Sequence, residues 1–248
     1  MAGQHSSRER VSQEERNKRQ ERAERILDAA AELIQRWGYS KTTIDDIAKQ
    51  AGVAKGTIYL HWKTREDLFR ALLFHEEMKL TEEIKQRMDN DPEGKTFYGM
   101  IKYTMLATMK NSLWKALFLR DTTMLGELAR QEIRTPLAEE RTASFLSLLR
   151  LLRERGLIRT DQSFEAQMHL MSAILVGFLM VEPFVPDEMR LSDDEAVEVM
   201  TDALVRALEP RPSIEPAQET EEVIHAVDRY FAHEVDLLKE QEQKELKA

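Results

Sequence analysis

The sequence contains no cysteine, which removes disulfides, zinc-thiolate sites and cysteine nucleophiles together. A reducing cytoplasm is then the simplest home. Glycine and proline are sparse, at nine and seven residues, and no Asn-Gly or Asp-Gly pair joins alternating apolar segments, so no hairpin is signalled. The longest apolar run, LMSAILVGFLMV from Leu170 to Val181, is well short of the roughly 20 residues a membrane-crossing helix needs. It reads as a buried helix or a subunit interface. The opening stretch, MAGQHSSRERVSQEERNKRQ, has no apolar segment of the secretory kind, so neither export nor a membrane partner is expected. Phosphate loops, metal-ligand spacings and nucleophile motifs are likewise missing. A helical enzyme is therefore the least favoured class, and no cofactor or metal is expected.

What is present is charge, unevenly spread. The net charge is -9, yet residues 1–75 carry 14 Lys and Arg against 11 Asp and Glu, leaving 22 against 34 for the remainder. A cationic head on an acidic body suits a segment that approaches polyanions, joined to one that does not.

From residue 20 onward the apolar residues recur at helical spacing, so the chain reads as all-α. Ile26, Ala30, Leu33, Ile34 and Trp37 form one stripe of a first helix that stops at Gly38. Thr43, with Asp46 three residues on, caps a second helix whose buried face is Ile44, Ile47, Ala48 and Ala51, ended by Gly52. A third short helix is predicted over Lys55 to His61, and Thr64 with Asp67 opens a fourth carrying Leu68, Phe69, Leu72 and Leu73. Asp91-Pro92 reads as a cap with proline at the first helical position, opening a segment through Lys110. Further helices are predicted from Pro136 to Gly156, Ser163 to Glu182 and Ser192 to Leu208, the last with a Ser192–Glu195 capping box. Pro210, Pro212 and Pro216 then mark a linker.

Two short helices joined by a turn, Thr43 to Ala51 and Lys55 to His61, match the helix-turn-helix, whose second helix enters the DNA major groove. Gly52 permits the turn, Val53 plugs the space between the helices, and the small Ala48 allows close approach. The outer face of the second helix presents Lys55, Thr57, Tyr59 and His61, donors suited to phosphates and base edges.

The stretch TTIDDIAKQAGVAKGTIYLHWKTREDLF resembles the TetR-family signature, and the chain from about Arg22 to Leu208 fits that family's helical layout. ERGLIRTDQSF resembles the family's approach to a later helix. The resemblance implies that Thr43, Tyr59, His61 and Lys63 contact phosphate, with Arg65 added to them. Lys55, Gly56 and Thr57 then face base edges, while Ile58 and Trp62 pack inward. Ala54 departs from the pattern, because the family often places serine there and alanine cannot cap a helix.

The expected organisation is a charged tail over 1–21, a three-helix helix-turn-helix domain over 22–75, a larger ligand-binding and dimerisation domain over 76–209, and a linker with an extra amphipathic helix over 210–248. In the larger domain, core filling accounts for most methionines and aromatics. Methionine also adapts to irregular ligands, and with the resemblance this implies an effector cavity drawn from Met100, Tyr103, Met105, Met109, Trp114, Phe118, Met124, Phe145, Met168, Met171 and Phe178. Arg120 and Asp121 either orient a polar effector group or end a helix. His169 reads as a hydrogen-bonded core residue rather than a metal ligand. Leu175, Phe178 and Leu179, with Val197, Met200 and Leu204, form apolar stripes that predict a homodimer seam. The final segment carries Val223, Val227, Tyr230, Phe231, Val235 and Leu238 at helical spacing and needs a surface to pack on.

Function reads as a DNA-binding repressor acting on double-stranded operator DNA and released by a small apolar or amphipathic effector. The alternative is an effector-independent accessory protein on the same scaffold.

Overall fold

The computed structural model describes residues 2–126, 136–210 and 221–245, with side chains from Glu14 to Gln241. Every regular element among them is helical: α1 Ala2–Trp37, α2 Ile44–Ala51, α3 Lys55–Tyr59, α4 Arg65–Asp89, α5 Phe97–Lys110, α6 Ser112–Phe118, α7 Thr122–Leu125, α8 Pro136–Glu154, α9 Phe164–Met180, α10 Asp193–Leu208 and α11 Glu221–Glu245. None of these helices is long and apolar enough to cross a membrane. Pro212 and Pro216 of the expected linker lie outside the described residues. The charged tail is helical, continuous with α1, and exposed from Glu14 through Arg22.

The helix starts follow from local chemistry. Thr43, Thr64 and Ser192 each close a capping box on α2, α4 and α10, their hydroxyls accepting from the backbone N–H three residues on. Each such cap is worth about 1 kcal/mol. Asp91-Pro92 does otherwise. Asp91 Oδ1 accepts from the Glu93 N–H inside a turn, and α5 begins only at Phe97, capped by Thr96. The turn is tight because Gly94 and Gly99 lack side chains: a Cβ on Gly94 would lie 2.2 Å from the Met88 carbonyl oxygen, and one on Gly99 2.4 Å from that of Glu93.

Two apolar cores result. In the first, Ile26, Ala30 and Ile34 of α1 meet Ile47 of α2, Ile58 of α3, Trp62, and Leu68, Phe69 and Leu72 of α4. Leu113 and Ala116 of α6 and Leu125 of α7 join this same core, so part of the segment expected in the larger domain packs against the first helices. Trp37 is 44% exposed and stands outside the predicted stripe. The second core gathers Leu80, Ile84 and Met88 of α4 with residues of α5, α8, α9, α10 and α11. One unbroken helix, α4, thus belongs to both.

The last helix is no loose tail. Val223, Val227, Phe231 and Leu238 are buried, and α11 lies against α4 and α8. Truncating a buried phenylalanine costs about 3–5 kcal/mol, and a carboxylate in its place adds a desolvation penalty. Phe231→Asp should therefore lower the urea unfolding midpoint by the equivalent of more than about 3 kcal/mol. A midpoint equal to the parent's would mean that α11 does not hold the second core together.

Candidate nucleic-acid interface and body cavity

The helix pair α2 and α3 is joined at Gly52, whose φ of 66° and ψ of 37° lie in the left-handed region that glycine enters at no steric cost. The Val53 N–H donates to the Ala48 carbonyl at 3.0 Å, sealing the turn, and Val53 packs half-buried on the first core. Ile58 and Trp62 point inward, at 1% and 3% exposure. Lys55, Gly56, Tyr59 and Lys63 are exposed on the opposite side, with Thr57 and His61 half-buried between them. Leu60, which the sequence reading passed over, is 76% exposed on this face. Its neighbours in the motif are polar, and helical spacing alone does not mark it.

The electrostatics of this face are specific. Lys55 Nζ lies 2.9 Å from Asp45 Oδ2 on α2, and that hydrogen bond raises the lysine's pKa. His61 titrates below its ordinary value because burial disfavours its charge, with Arg19 and Arg22 adding repulsion. Thr43 caps α2 and is exposed.

Arg65 departs from the expectation that it reaches phosphate. Its guanidinium donates to the carbonyls of Tyr39 and Thr42 and lies 3.9 Å over the Tyr39 ring. Those contacts commit it to bracing the turn after α1.

In the body, a cavity of about 590 Å³ opens among α4, α5, α6, α8, α9 and α11. Seven of the expected effector residues line it: Met100, Met105, Trp114, Phe118, Phe145, Met168 and Met171. The other four do not. Tyr103 turns away to donate to Asp91 Oδ2, and that bond, with burial behind it, pushes the phenol up to about 12. Met109 and Phe178 border a separate cleft of about 200 Å³, and Met124 packs on the first core. Arg120 borders the main cavity with φ at 55°. Asp121 caps α7, accepting from the N–H groups of Thr123 and Met124.

The sequence reading missed the polar wall. Arg141 of α8 pairs with Glu77 of α4 and, at 2.5 Å, with Glu234 of α11, and Arg141, Tyr230, Phe231 and Glu234 all line the cavity. A signal existed. Positions 227, 231, 234 and 238 share one helix face, and a glutamate stands in the third of them among Val227, Phe231 and Leu238.

The predicted dimer stripe is also corrected. Leu175, Leu179, Val197, Met200 and Leu204 are each at most 8% exposed in the single chain, because α9 and α10 turn these residues into their own core; Phe178 is half-buried beside them. The outward face of α9 consists of Ala166, His169, Ala173, Gly177 and Met180, all exposed. His169 is therefore a surface residue rather than a core one.

Where the cores meet, Asp28 of α1 stands beside His75 and Glu76 of α4 within metal-ligand range of one another. The Lys79 ammonium already sits 2.5 Å from Asp28 and 3.5 Å from Glu76. Burial works to raise Asp28, but the bond to Lys79 prevails and holds the carboxyl below its ordinary value.

The family described as bacterial regulatory proteins, tetR family, matches residues 26–72. The chain is similar to a fatty acid metabolism regulator protein of Bacillus subtilis (strain 168), 46% identical over 67 residues that cover 25% of this chain and 34% of that protein. It therefore spans about a third of that relative's length. It is also similar to the nucleoid occlusion factor SlmA of Vibrio cholerae serotype O1, 28% identical over 162 residues covering 65% of this chain and 81% of the relative. A crystal structure from Rhodococcus sp., described as a TetR-family transcriptional regulator, shares the fold with a TM-score of 0.56 at 22% identity, over 76% of this chain and 98% of that one.

Ala54 stands at the N-cap of α3 with extended backbone, φ -72° and ψ 146°, and makes no side-chain cap. A hydroxyl there can accept from an orphan N–H, so Ala54→Ser should raise stability by about 0.5–2 kcal/mol. Chemical denaturation of the two proteins checks this, and an unchanged or lower midpoint means the helix end is satisfied in another way.

Proposed function

The chain belongs to the tetR family of bacterial regulatory proteins, and we propose that it works as a dimeric, sequence-specific DNA-binding repressor which a small molecule releases from its operator. The observation that carries this reading is the joint exposure of Lys55, Gly56, Tyr59 and Lys63 on a helix pair whose inner face is locked by Ile58 and Trp62. In it, α3 enters the major groove. Lys55, Gly56 and Thr57 meet base edges, while Thr43, Tyr59, His61 and Lys63 anchor to phosphate. Leu60 offers an apolar contact of the kind that thymine methyl groups accept.

Lys55 must exchange its carboxylate partner for a base or phosphate on binding. Asp45 is thus a built-in competitor, and its own charge opposes the approach of DNA in general. Exposed pairs of this kind are worth about 0.2–1 kcal/mol, so the competition trims affinity without abolishing it.

Dimerisation falls on the outward face of α9, where Ala173 and Gly177 leave room for close helix approach, with Val199 of α10 alongside. A Cβ on Gly177 would meet nothing within 4 Å, which supports a seam there. A two-fold of this kind calls for a palindromic operator with half-sites about one helical turn apart, about 34–36 Å, or a multiple of it. The 590 Å³ cavity is of the size and apolar character that small ligands occupy, and supports the effector reading.

The likeness to a nucleoid occlusion factor favours a second reading, a DNA-binding accessory protein that needs no effector. Titration of operator DNA by fluorescence anisotropy, with and without a library of small amphipathic compounds, separates the two. A compound that binds the body must weaken operator affinity, and operator must weaken compound affinity by the same factor. Binding without any such coupling would leave the accessory reading.

Reading and anchoring separate by mutation. Lys63→Ala should weaken binding to all sequences alike and reduce the salt slope by about 1, while Lys55→Ala should cost about 1–3 kcal/mol and alter preference at one base pair. Asp45→Asn should strengthen binding to random DNA by up to about fivefold at low salt. Equal losses on operator and random DNA for both lysine variants, or no gain for Asp45→Asn, would refute the assignment.

A further inference from the structure

The wall that α11 contributes to the cavity is charged. Arg141 pairs with both Glu77 and Glu234, so two carboxylates share one guanidinium. Both glutamate side chains are deeply buried, at 8% and 3% exposure, where an uncompensated charge is costly. Glu234 Oε2 takes the Arg141 Nε, while Glu234 Oε1, covered from solvent, has no hydrogen-bond donor among the described residues. The same side chain borders the 590 Å³ cavity and an adjoining one of about 390 Å³. Around it stand Trp114, Phe118, Phe145 and Tyr230, aromatic faces that attract cations.

From these observations we infer that the cavity takes an amphipathic monocation, an aromatic or aliphatic body carrying a protonated amine, and that Glu234 is the residue that recognises its charge. The nitrogen supplies a cation beside two carboxyl groups that share one guanidinium, and the donor that Oε1 lacks among the described residues. The last torsion of a glutamate is broad and roughly two-fold, so the carboxylate can turn to share its two oxygens between Arg141 and a ligand. Among the described residues, the cationic side chains that line the cavity are Arg141, already held by two carboxylates, and Arg120, exposed at the rim. The recognising residue thus comes from the C-terminal helix rather than from the methionine-lined walls.

The inference rests on the cavity being the effector site, and its test is built to fail separately from that reading. Three probes of one shape differ only in charge: 1-naphthylmethylamine, 1-naphthylmethanol and 1-naphthoate. Isothermal titration of the full chain should find the amine bound about tenfold to a hundredfold more tightly than the alcohol, the ratio expected of a hydrogen bond to a charged group, with the naphthoate weakest. Glu234→Gln should erase that preference while leaving the alcohol's affinity within about twofold. The wild-type comparison needs no variant, and an unaltered melting temperature certifies the Gln protein. Equal binding of all three probes, binding of none, a preference for naphthoate, or an amine preference that survives Glu234→Gln would each overturn the inference. Naphthoate or the alcohol releasing operator DNA better than the amine would overturn it too, while leaving the effector reading intact.

Discussion

The two cores of this chain share one long helix, α4, which runs unbroken from one into the other. Leu68, Phe69 and Leu72 at its start are buried with the helix pair, while Leu80, Ile84 and Met88 further along are buried with the body. Each fully buried leucine or phenylalanine contributes about 1.5–3 kcal/mol, so neither end can slide without losing packing. The helix is thus a continuous packed connection between the helix pair and the body. The Lys79–Asp28 pair and the Arg141–Glu77 pair are attached to this helix two residues apart. One ties α4 to α1 and the other ties it to the cavity wall.

Five residues of α3 cannot be helical on their own account, because nucleation costs more than so short a segment returns. Its shape is borrowed from Ile58 and Trp62 inside the core and from the turn at Gly52. This explains how a helix with an uncapped N-terminus at Ala54 is tolerated. It also leaves Lys55, Gly56 and Tyr59 exposed, with Lys55 paired to Asp45.

Much of this was legible in advance. The capping boxes at Thr43, Thr64 and Ser192, the stop at Gly38 and the turn at Gly52 are local chemistry, and local chemistry is what a linear sequence records. The stripe on α11 was legible for the same reason. What escaped were facts about which face meets what. Val197, Met200 and Leu204 make an apolar stripe whether they pack on another chain or on α5, and periodicity does not distinguish the two. Arg65 resembles a phosphate contact until the carbonyls of Tyr39 and Thr42 are brought beside it by the fold. Asp91-Pro92 has the composition of a cap, but the bare Cα atoms of Gly94 and Gly99 let the chain close into a turn first. Glu234 was passed over because a charged residue in an apolar stripe looks like an interruption, when it marks the place where the stripe borders a cavity.

The docking of α11 also rests on contacts between distant parts of the chain. Arg141 and Glu234 are separated by 93 positions, and the α4 surface that α11 covers is more distant still along the chain. The contacts within α1, α2 and α3 span far shorter loops. Closing a long loop costs entropy before any contact repays it, and folding slows as contacts become less local. The contacts of the helix pair are thus the more local ones, and those of α11 with α4 and α8 the more distant. Without α11 the cavity would lose Tyr230, Phe231 and Glu234 from its wall and stand open to water.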